Sequence, residues 1–253
     1  MKKAAIILGF FLSGCVSFFT VPSHEALQNP MPPLQEHWET ELIHPDFSHA
    51  VLKGNGMALF AILRRGATEG MRQSVAFEVF QGLRSFFPKV RVIPRKDAIE
   101  KIKRAERQSE YKAFLQRYQE GRSMDVESLS EWGRIEGVRY LFIGEVLSNE
   151  KNTETRTMQK GEGGVGGMIS VFSSGPSHIP VSVYKQVSLR GELWDSLCGK
   201  AVWMGRSLSE VTEPGEKERV RVEDILNATS RNLIAALDKA LKANPESGKQ
   251  KKC

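Results

Sequence analysis

The chain has 253 residues, a formal net charge of +6 at pH 7 and three cysteines. This length allows one sizeable domain together with a tether. The positive surplus is mild and part of it lies near the two ends of the chain, so the composition argues against a nucleic-acid-binding protein. Cys198 and Cys253 have no metal-type spacing, and the sequence leaves open whether they form a disulfide.

The first 14 residues have the pattern of a signal peptide. Lys2 and Lys3 precede the apolar residues 4–11, a run shorter than the about 20 residues of a membrane-spanning helix. The run ends in Leu-Ser-Gly-Cys, which resembles the lipobox of bacterial lipoproteins. The resemblance implies cleavage between Gly14 and Cys15 and acylation of Cys15. A transmembrane anchor and an ordinary signal peptide are the alternatives.

A lipid anchor would hold the mature chain on a membrane surface outside the cytoplasm. Val16 follows the cysteine, whereas an aspartate at this place would resemble the inner-membrane retention signal. We therefore expect attachment to outer-membrane lipid through acylated Cys15, with the protein facing the periplasm. One acyl chain binds a membrane reversibly, whereas several chains anchor a protein stably.

Residues 15–53 are predicted to be a lipid-anchored linker. The prolines of NPMPP exclude a continuous helix, so the stretch is expected to be an extended tether. It contains four of the five histidines, and His44 and His49 flank Asp46. Because their spacing matches neither a zinc helix nor a zinc finger, we interpret them as surface residues and predict no metal site.

Residues 54–243 are predicted to form one folded domain. The apolar run MALFAIL indicates a buried strand, and the segments KVRVIPR and RYLFIGEVLS indicate two more. Between the first two strands apolar residues recur at helical spacing, and the charged residues 96–120 are expected to form one helix or a broken pair of helices. DVESLSEWGRIEGV is expected to be a further helix that Gly137 ends.

The second half of the sequence predicts an insertion, a hairpin and a final helix. Residues 148–180 are polar and glycine-rich, and we expect a flexible insertion loop there. VSVYKQVSLRGELWDS alternates with period two and LCGK is a turn, so this strand and AVWMGRSLSEV form an antiparallel hairpin whose Leu193 faces the helices. After a helix over residues 222–241, residues 244–253 are a basic tail, expected to be disordered. The element order predicts an α/β (α+β) domain, a mixed sheet with helices packed against it.

No set of residues in the sequence suggests catalysis. Gly161, Gly163 and Gly166 match a dinucleotide-binding pattern by letter. However, they follow the polar TRTMQK instead of a strand and precede the strand-like MISVF instead of a helix. His178 lies in a predicted loop, and no nucleophile or acid can be paired with it. We predict a non-enzymatic protein without a cofactor, and an enzyme is the third alternative.

The order of motifs around the third strand resembles the curli assembly/transport lipoprotein family and the amino-terminal domain of the TolB periplasmic protein. GVRYLFIGEVLSNEK is followed by GEGGVGG, and then by a strand, the turn from Asp195 to Gly199 and a returning strand with Trp203. The resemblance covers about residues 57–241. It implies a small α/β domain that serves assembly in the envelope, without an active site.

Two functions fit this resemblance. The favoured one is a non-enzymatic accessory component of assembly, secretion or transport that binds an envelope protein through its sheet edge or the insertion loop. Met168, Ile169, Val171 and Phe172 are the candidate partner-binding residues, since MISVF can add a strand to another chain. The alternative is an oligomeric outer-membrane secretion pore resembling the curli export channel. The polar insertion lacks the alternating apolar residues of a membrane strand, and whether the chain forms a homo-oligomer stays open.

Overall fold

The computed structural model describes residues 32–63, 69–121, 124–157, 178–214 and 219–244, without the side chains of 154–157 and 178–181. Gly14, Cys15 and residues 161–172 lie outside the described residues. The strands are β1 (Gln35–Ile43), β2 (Met57–Leu63), β3 (Val92–Ile93), β4 (Tyr140–Thr157), β5 (His178–Asp195) and β6 (Lys200–Pro214). The helices are α1 (His49–Asn55), α2 (Glu69–Phe86), α3 (Arg95–Arg104), α4 (Gln108–Gly121), α5 (Val126–Glu136) and α6 (Val222–Ala243).

The six strands form one mixed sheet in the order β1-β6-β5-β4-β2-β3. β2 pairs in parallel with β3 and β4, whereas β4, β5, β6 and β1 are joined by antiparallel pairs. The predicted mixed sheet with helices packed against it is therefore confirmed, and so is the hairpin of β5 and β6. The charged segment after β3 forms a pair of helices, α3 and α4.

Helices cover the two faces of the sheet unequally. On one face α2 and α6 pack against the sheet, with Phe142, Leu193 and Leu233 in one apolar cluster. On the other face α3, α4 and α5 cover only the β2 side of the sheet, where Phe60 and Trp132 belong to a second cluster. Because both faces of β2 are covered, all seven of its residues are buried, as expected for a continuous apolar run.

The predicted direction of the apolar row on β5 is confirmed. Leu193 is fully buried in the cluster that contains the apolar residues of α6, together with Val187 and Leu189. Side chains alternate along a strand, so Trp194 points to the other face, where its ring lies edge-on to Tyr118 of α4.

Two glycines make room for a large ring beneath the strands. Gly191 and Gly205 are register partners on β5 and β6. A Cβ atom on Gly191 would lie 2.9 Å from Phe142, and one on Gly205 would lie 2.5 Å from Trp203. The two rings stack with centroids 6.3 Å apart. The missing side chains therefore allow Trp203 to lie under β6, where it reaches β1.

The turn between β5 and β6 is organised by Asp195. Its carboxylate accepts two hydrogen bonds from the Arg139 guanidinium, with Nε to Oδ1 at 3.0 Å and Nη2 to Oδ2 at 2.7 Å. It also accepts one from the backbone N–H of Leu197 at 3.0 Å, and Gly199 ends the turn with φ +65°. Cys198, in the same turn, is disulfide-bonded, and the other two cysteines lie outside the described residues.

The tether is shorter than predicted. Residues 35–43, which were included in the predicted linker of residues 15–53, form β1 and pair with β6, and His49–Asn55 forms α1. The polar appearance of β1 has a physical cause: it lies at the edge of the sheet, where most of its side chains are exposed.

The predicted insertion loop is also shorter than residues 148–180. β4 and β5 continue their antiparallel pairing through Glu150↔Gln186 as far as Thr157↔His178. The side chains of residues 151–153 are exposed, so this part of the hairpin needs no apolar residues and its sequence resembles a loop. His178 accordingly lies at the start of a strand and not in a loop.

Candidate partner-binding edge of the sheet

β1 is an edge strand that is paired on one side only. Its nine residues run antiparallel to β6, from Gln35↔Glu210 to Ile43↔Trp203, and no strand of the described residues pairs with its outer side. The opposite edge of the sheet is β3, which has two residues. An unpaired row of backbone N–H and C=O groups can accept a strand from another chain. Among the described residues β1 is thus an open edge of nine residues, and the part of β4 beyond Glu145, which pairs only with β5, is another.

Helix α6 runs beside β1 and leaves a groove of about 490 Å³ between them. Trp38 and Ile43 of β1 are half-buried and pack against the main core. The groove is lined by these two residues, by Glu39 and Thr40 of β1, and by Ala236, Lys239, Ala240, Ala243 and Asn244 of α6. Trp38, Ile43 and the alanines give the groove its apolar surface, and the Lys239 ammonium lies over the Trp38 ring, 4.8 Å from the ring centroid.

Hydrogen bonds fix the two walls of the groove. Thr40 Oγ1 donates to the carbonyl of Ala236 at 3.3 Å and accepts a hydrogen bond from Trp203 Nε1 at 3.4 Å. At the end of α6, Asn244 Nδ2 donates to the carbonyl oxygens of His44 at 3.1 Å and Phe47 at 2.7 Å. The groove is thus a built feature of the fold and its width is set by these contacts.

The edge strand is acidic. It contains Glu36, Glu39 and Glu41 and no lysine or arginine. Glu41 forms ion pairs with Arg206 and, at 3.6 Å, with Arg190. Glu36 and Glu39 form no ion pair with the described residues, so two carboxylates at this edge are available to a ligand.

The open sheet face next to β1 is polar and internally paired. Arg190 Nε lies 3.1 Å from Glu192 Oε1, and the Tyr184 hydroxyl lies 2.7 Å from Glu210 and 2.5 Å from Gln186. Burial, and next the hydrogen bond to Glu210, raise the pKa of Tyr184 to about 12. The hydroxyl therefore keeps its proton near neutral pH and acts as a hydrogen-bond donor.

His37, His44 and His49 of the predicted tether are part of the fold, and His44 and His49 lie at different places, whereas His24 lies outside the described residues. His44 Nε2 is 3.0 Å from the Lys200 ammonium, whereas His49 Nε2 is 3.3 Å from Asp238 Oδ1. Within the described ranges no group of three or more histidine, cysteine, aspartate or glutamate residues could hold a metal ion. Nor is any helix in this part of the chain long and apolar enough to cross a membrane.

A buried carboxyl group lies away from the edge, between α3 and α5. Glu136 is the last residue of α5 and is fully buried, and neither carboxylate oxygen has a hydrogen-bond partner in the described structure. The Lys101 ammonium lies 3.8 Å from Oε2 and donates to the backbone carbonyl of Glu136 at 2.5 Å. Burial raises the pKa of Glu136 to about 7, against the opposing charge of Lys101 and with a further rise from Asp97.

A second buried ionic group joins β5 to the end of β6. Lys185 Nζ donates to Glu213 Oε2 at 2.7 Å and to the Val220 carbonyl at 2.5 Å, and both charged side chains are buried. Glu213 Oε1 accepts the backbone N–H groups of Arg219 and Val220 at 2.7 and 2.8 Å. Although burial opposes ionisation, these hydrogen bonds and the Lys185 charge lower the pKa of Glu213. The pair fixes the chain just before α6.

The sequence does not indicate the groove, because β1 lies within the predicted tether of residues 15–53. The usable signal was the period-two alternation of Trp38, Thr40 and Leu42 with glutamates in HWETEL. The candidate partner-binding residues Met168, Ile169, Val171 and Phe172 lie outside the described residues, so their role stays a prediction.

Comparisons with known proteins give a likeness of fold. No protein-family model and no curated protein matches the chain. Among solved structures, the chain is similar to the PelC dodecamer from Paraburkholderia phytofirmans, with 16% identity and a TM-score of 0.36 over 82% of this chain and 98% of that one. It is also similar to lipoprotein GNA1162 from Neisseria meningitidis, with 13% identity and a TM-score of 0.42 over 74% and 99%. These likenesses concern the fold alone, and membership of the curli or TolB-related groups stays a prediction.

Proposed function

We propose that the protein is a lipid-anchored envelope protein that faces the periplasm and binds another protein through the outer edge of β1. In this role it is a non-enzymatic accessory component of assembly, secretion or transport. The observation that carries the proposal is the nine-residue edge strand, whose outer side pairs with no strand of the described residues and which has a groove beside it. Strand addition at such an edge uses the backbone for affinity and side-chain pockets for specificity.

The proposed anchor complements this edge. The Leu-Ser-Gly-Cys motif supports acylation of Cys15, and residues 15–34 separate that cysteine from the start of β1. Twenty residues span at most about 70 Å. This length of chain is therefore enough for the edge strand to lie up to about 70 Å from an anchored Cys15.

Site-specific cross-linking in the native envelope tests the proposal. A photo-crosslinking amino acid replaces His37, an exposed residue of β1, and in a control chain it replaces Glu120, an exposed residue of α4. We expect a discrete adduct from position 37 and none from position 120, in a membrane fraction that also contains the acylated protein. Equal adducts from both positions, or none from position 37, would contradict binding through the edge.

The alternative function is an oligomeric outer-membrane secretion pore. The observation in its favour is the long β4–β5 hairpin, which continues to Thr157↔His178. Against it, residues 148–157 read SNEKNTETRT, and a charged side chain facing lipid near the midplane costs up to about 2–4 kcal/mol. Acylated protein that makes liposomes leak small dyes, and that forms heat-stable rings in detergent, would support the pore instead.

A further inference from the structure

We propose that the outer edge of β1 and the groove beside it bind an extended segment of another protein in which aliphatic residues alternate with basic ones. This inference rests on the proposed function, since it specifies the chemistry of the partner at the same edge. The ligand is therefore a strand of defined pattern, and it is not a second copy of β1.

The groove determines one set of side chains in such a segment. A strand added to β1 lies about 4.8 Å from it, and its side chains point alternately to the two faces of the sheet. Trp38 and Thr40 show which face of β1 is turned toward α6. Every second residue of the added strand therefore points into the space between β1 and α6, which is lined by the side chains of Trp38 and Ile43, three alanines and Lys239, whose ammonium lies 4.8 Å from the centroid of the Trp38 ring. Aliphatic side chains fit the apolar part of this lining.

The intervening side chains of the added strand meet a different surface. Glu39 and Glu41 of β1 point to the face opposite α6, where Glu41 is already paired with Arg190 and Arg206. Glu39 has no ion-pair partner among the described residues. Opposite charges on neighbouring strands stabilise a pair of strands. Lysine or arginine is therefore the residue type expected between the aliphatic positions.

Charge also argues against pairing of two β1 strands. Each copy of QEHWETELI carries three glutamates and no lysine or arginine. An antiparallel pair of two copies would place six carboxylates on adjacent strands, and like charges opposite each other destabilise the pair. The same carboxylates attract a basic segment, so they disfavour self-association through β1 and favour binding of a basic partner.

Synthetic peptides added to the full-length acylated protein in detergent test this inference. The probe is the acetylated, amidated peptide TVKVRVKVT, and its matched controls are TVEVEVEVT, which reverses the charges, and TSKSRSKST, which removes the aliphatic residues. Fluorescence anisotropy measures each Kd at low and moderate salt. We expect the basic aliphatic peptide to bind at least about tenfold more tightly than either control, with a difference from the acidic peptide that shrinks as salt is added.

Two substitutions locate the binding at the edge. Glu39→Lys should lower the preference for the basic over the acidic peptide at least about threefold, because it reverses the charge that meets the intervening residues. Ala240→Trp should weaken all aliphatic peptides by filling the groove. Glu120→Lys on exposed α4 is the matched control for charge and should change neither value. Unfolding midpoints of the three variants should remain close to that of the unchanged protein.

The outcomes separate this inference from the proposed function. Equal affinity for the acidic and basic peptides, or an unchanged preference in Glu39→Lys, overturns the partner chemistry. Tighter binding of GGMISVFSS, the chain's own residues 166–174, than of the basic peptide also overturns it, because the natural occupant would then be a segment of this chain and not of another protein. In these cases an adduct at position 37 in the native envelope would still support binding through the edge, whereas loss of that adduct would contradict the proposed function itself.

Discussion

Replacing Glu136 by glutamine should remove a pH dependence from the stability of the fold. The pKa of this carboxyl is about 7 in the folded protein against 4.5 for an exposed glutamate, because burial disfavours the charged form. The folded state therefore binds a proton more tightly than the unfolded state. The contribution of Glu136 to the free energy of unfolding is greatest below pH 4.5. It falls as the pH rises toward 7 and levels off above that pH.

The size of the effect follows from the two pKa values. Their difference corresponds to about 3.4 kcal/mol at about 1.4 kcal/mol per pH unit, and roughly 2.5 kcal/mol of this lies between pH 5 and pH 8. The pKa of about 7 already includes the opposing effect of Lys101, whose ammonium lies 3.8 Å from the carboxylate. Between pH 5 and pH 8 the free energy of unfolding of the unchanged protein should therefore fall by up to roughly 2.5 kcal/mol more than that of the Glu136→Gln protein.

Urea unfolding at pH 5, 6, 7 and 8 measures the difference, since the free energy of unfolding is obtained at each pH by linear extrapolation. All other titrating groups are shared, so only the difference between the two proteins is interpreted. Glu120→Gln, on the exposed face of α4, serves as the control and should follow the unchanged protein. Identical pH profiles for Glu136→Gln and the unchanged protein would refute the reasoning.

Three further outcomes are expected. Leu193→Ala should lower the free energy of unfolding by about 2–5 kcal/mol because the side chain is fully buried. Ser188→Ala, on the opposite face of β5, should lower it little. Comparable urea midpoints for the two variants would refute the assignment of Leu193 to the face that packs against the helices. Lys185→Met should lower the free energy of unfolding by about 3–5 kcal/mol, because it leaves the Glu213 carboxylate buried without its cation. Adding Glu213→Gln should recover part of that loss in the same assay. An unchanged urea midpoint for Lys185→Met alone would count against the ion pair. Cys15→Ala should abolish labelling by a clickable fatty acid, and equal labelling of variant and unchanged protein would exclude lipidation at this residue.

The strongly patterned elements could be predicted from the sequence. MALFAIL could be assigned as a buried strand because an unbroken apolar run needs cover on both faces, and α3, α4 and α5 provide the second cover. The alternation on β5 likewise indicated which way Leu193 points. In both cases the spacing of the apolar residues along the chain matches the pattern of buried side chains in the structure.

The edge of the sheet could not be predicted, because its stability does not come from its own apolar residues. β1 is held by backbone pairing with β6 and by a few contacts such as Thr40 to Ala236, which is 196 residues away in the chain. The outer part of β4 is similar, since exposed polar residues pair there with β5. The candidate site depends on this edge, so the groove could be identified only when the partners of β1 were known.

The position of β1 has a mechanical consequence. It is the first strand of the described chain and also one of the two outermost strands of the sheet. If Cys15 is held in a membrane, tension in the chain enters the domain at Gln35 and runs along β1, perpendicular to the hydrogen bonds that join it to β6. These bonds then share the load in shear instead of opening one after another. A strand bound on the outer side of β1 would receive the force from that same strand, so a pull between membrane and partner would pass along the edge of the sheet.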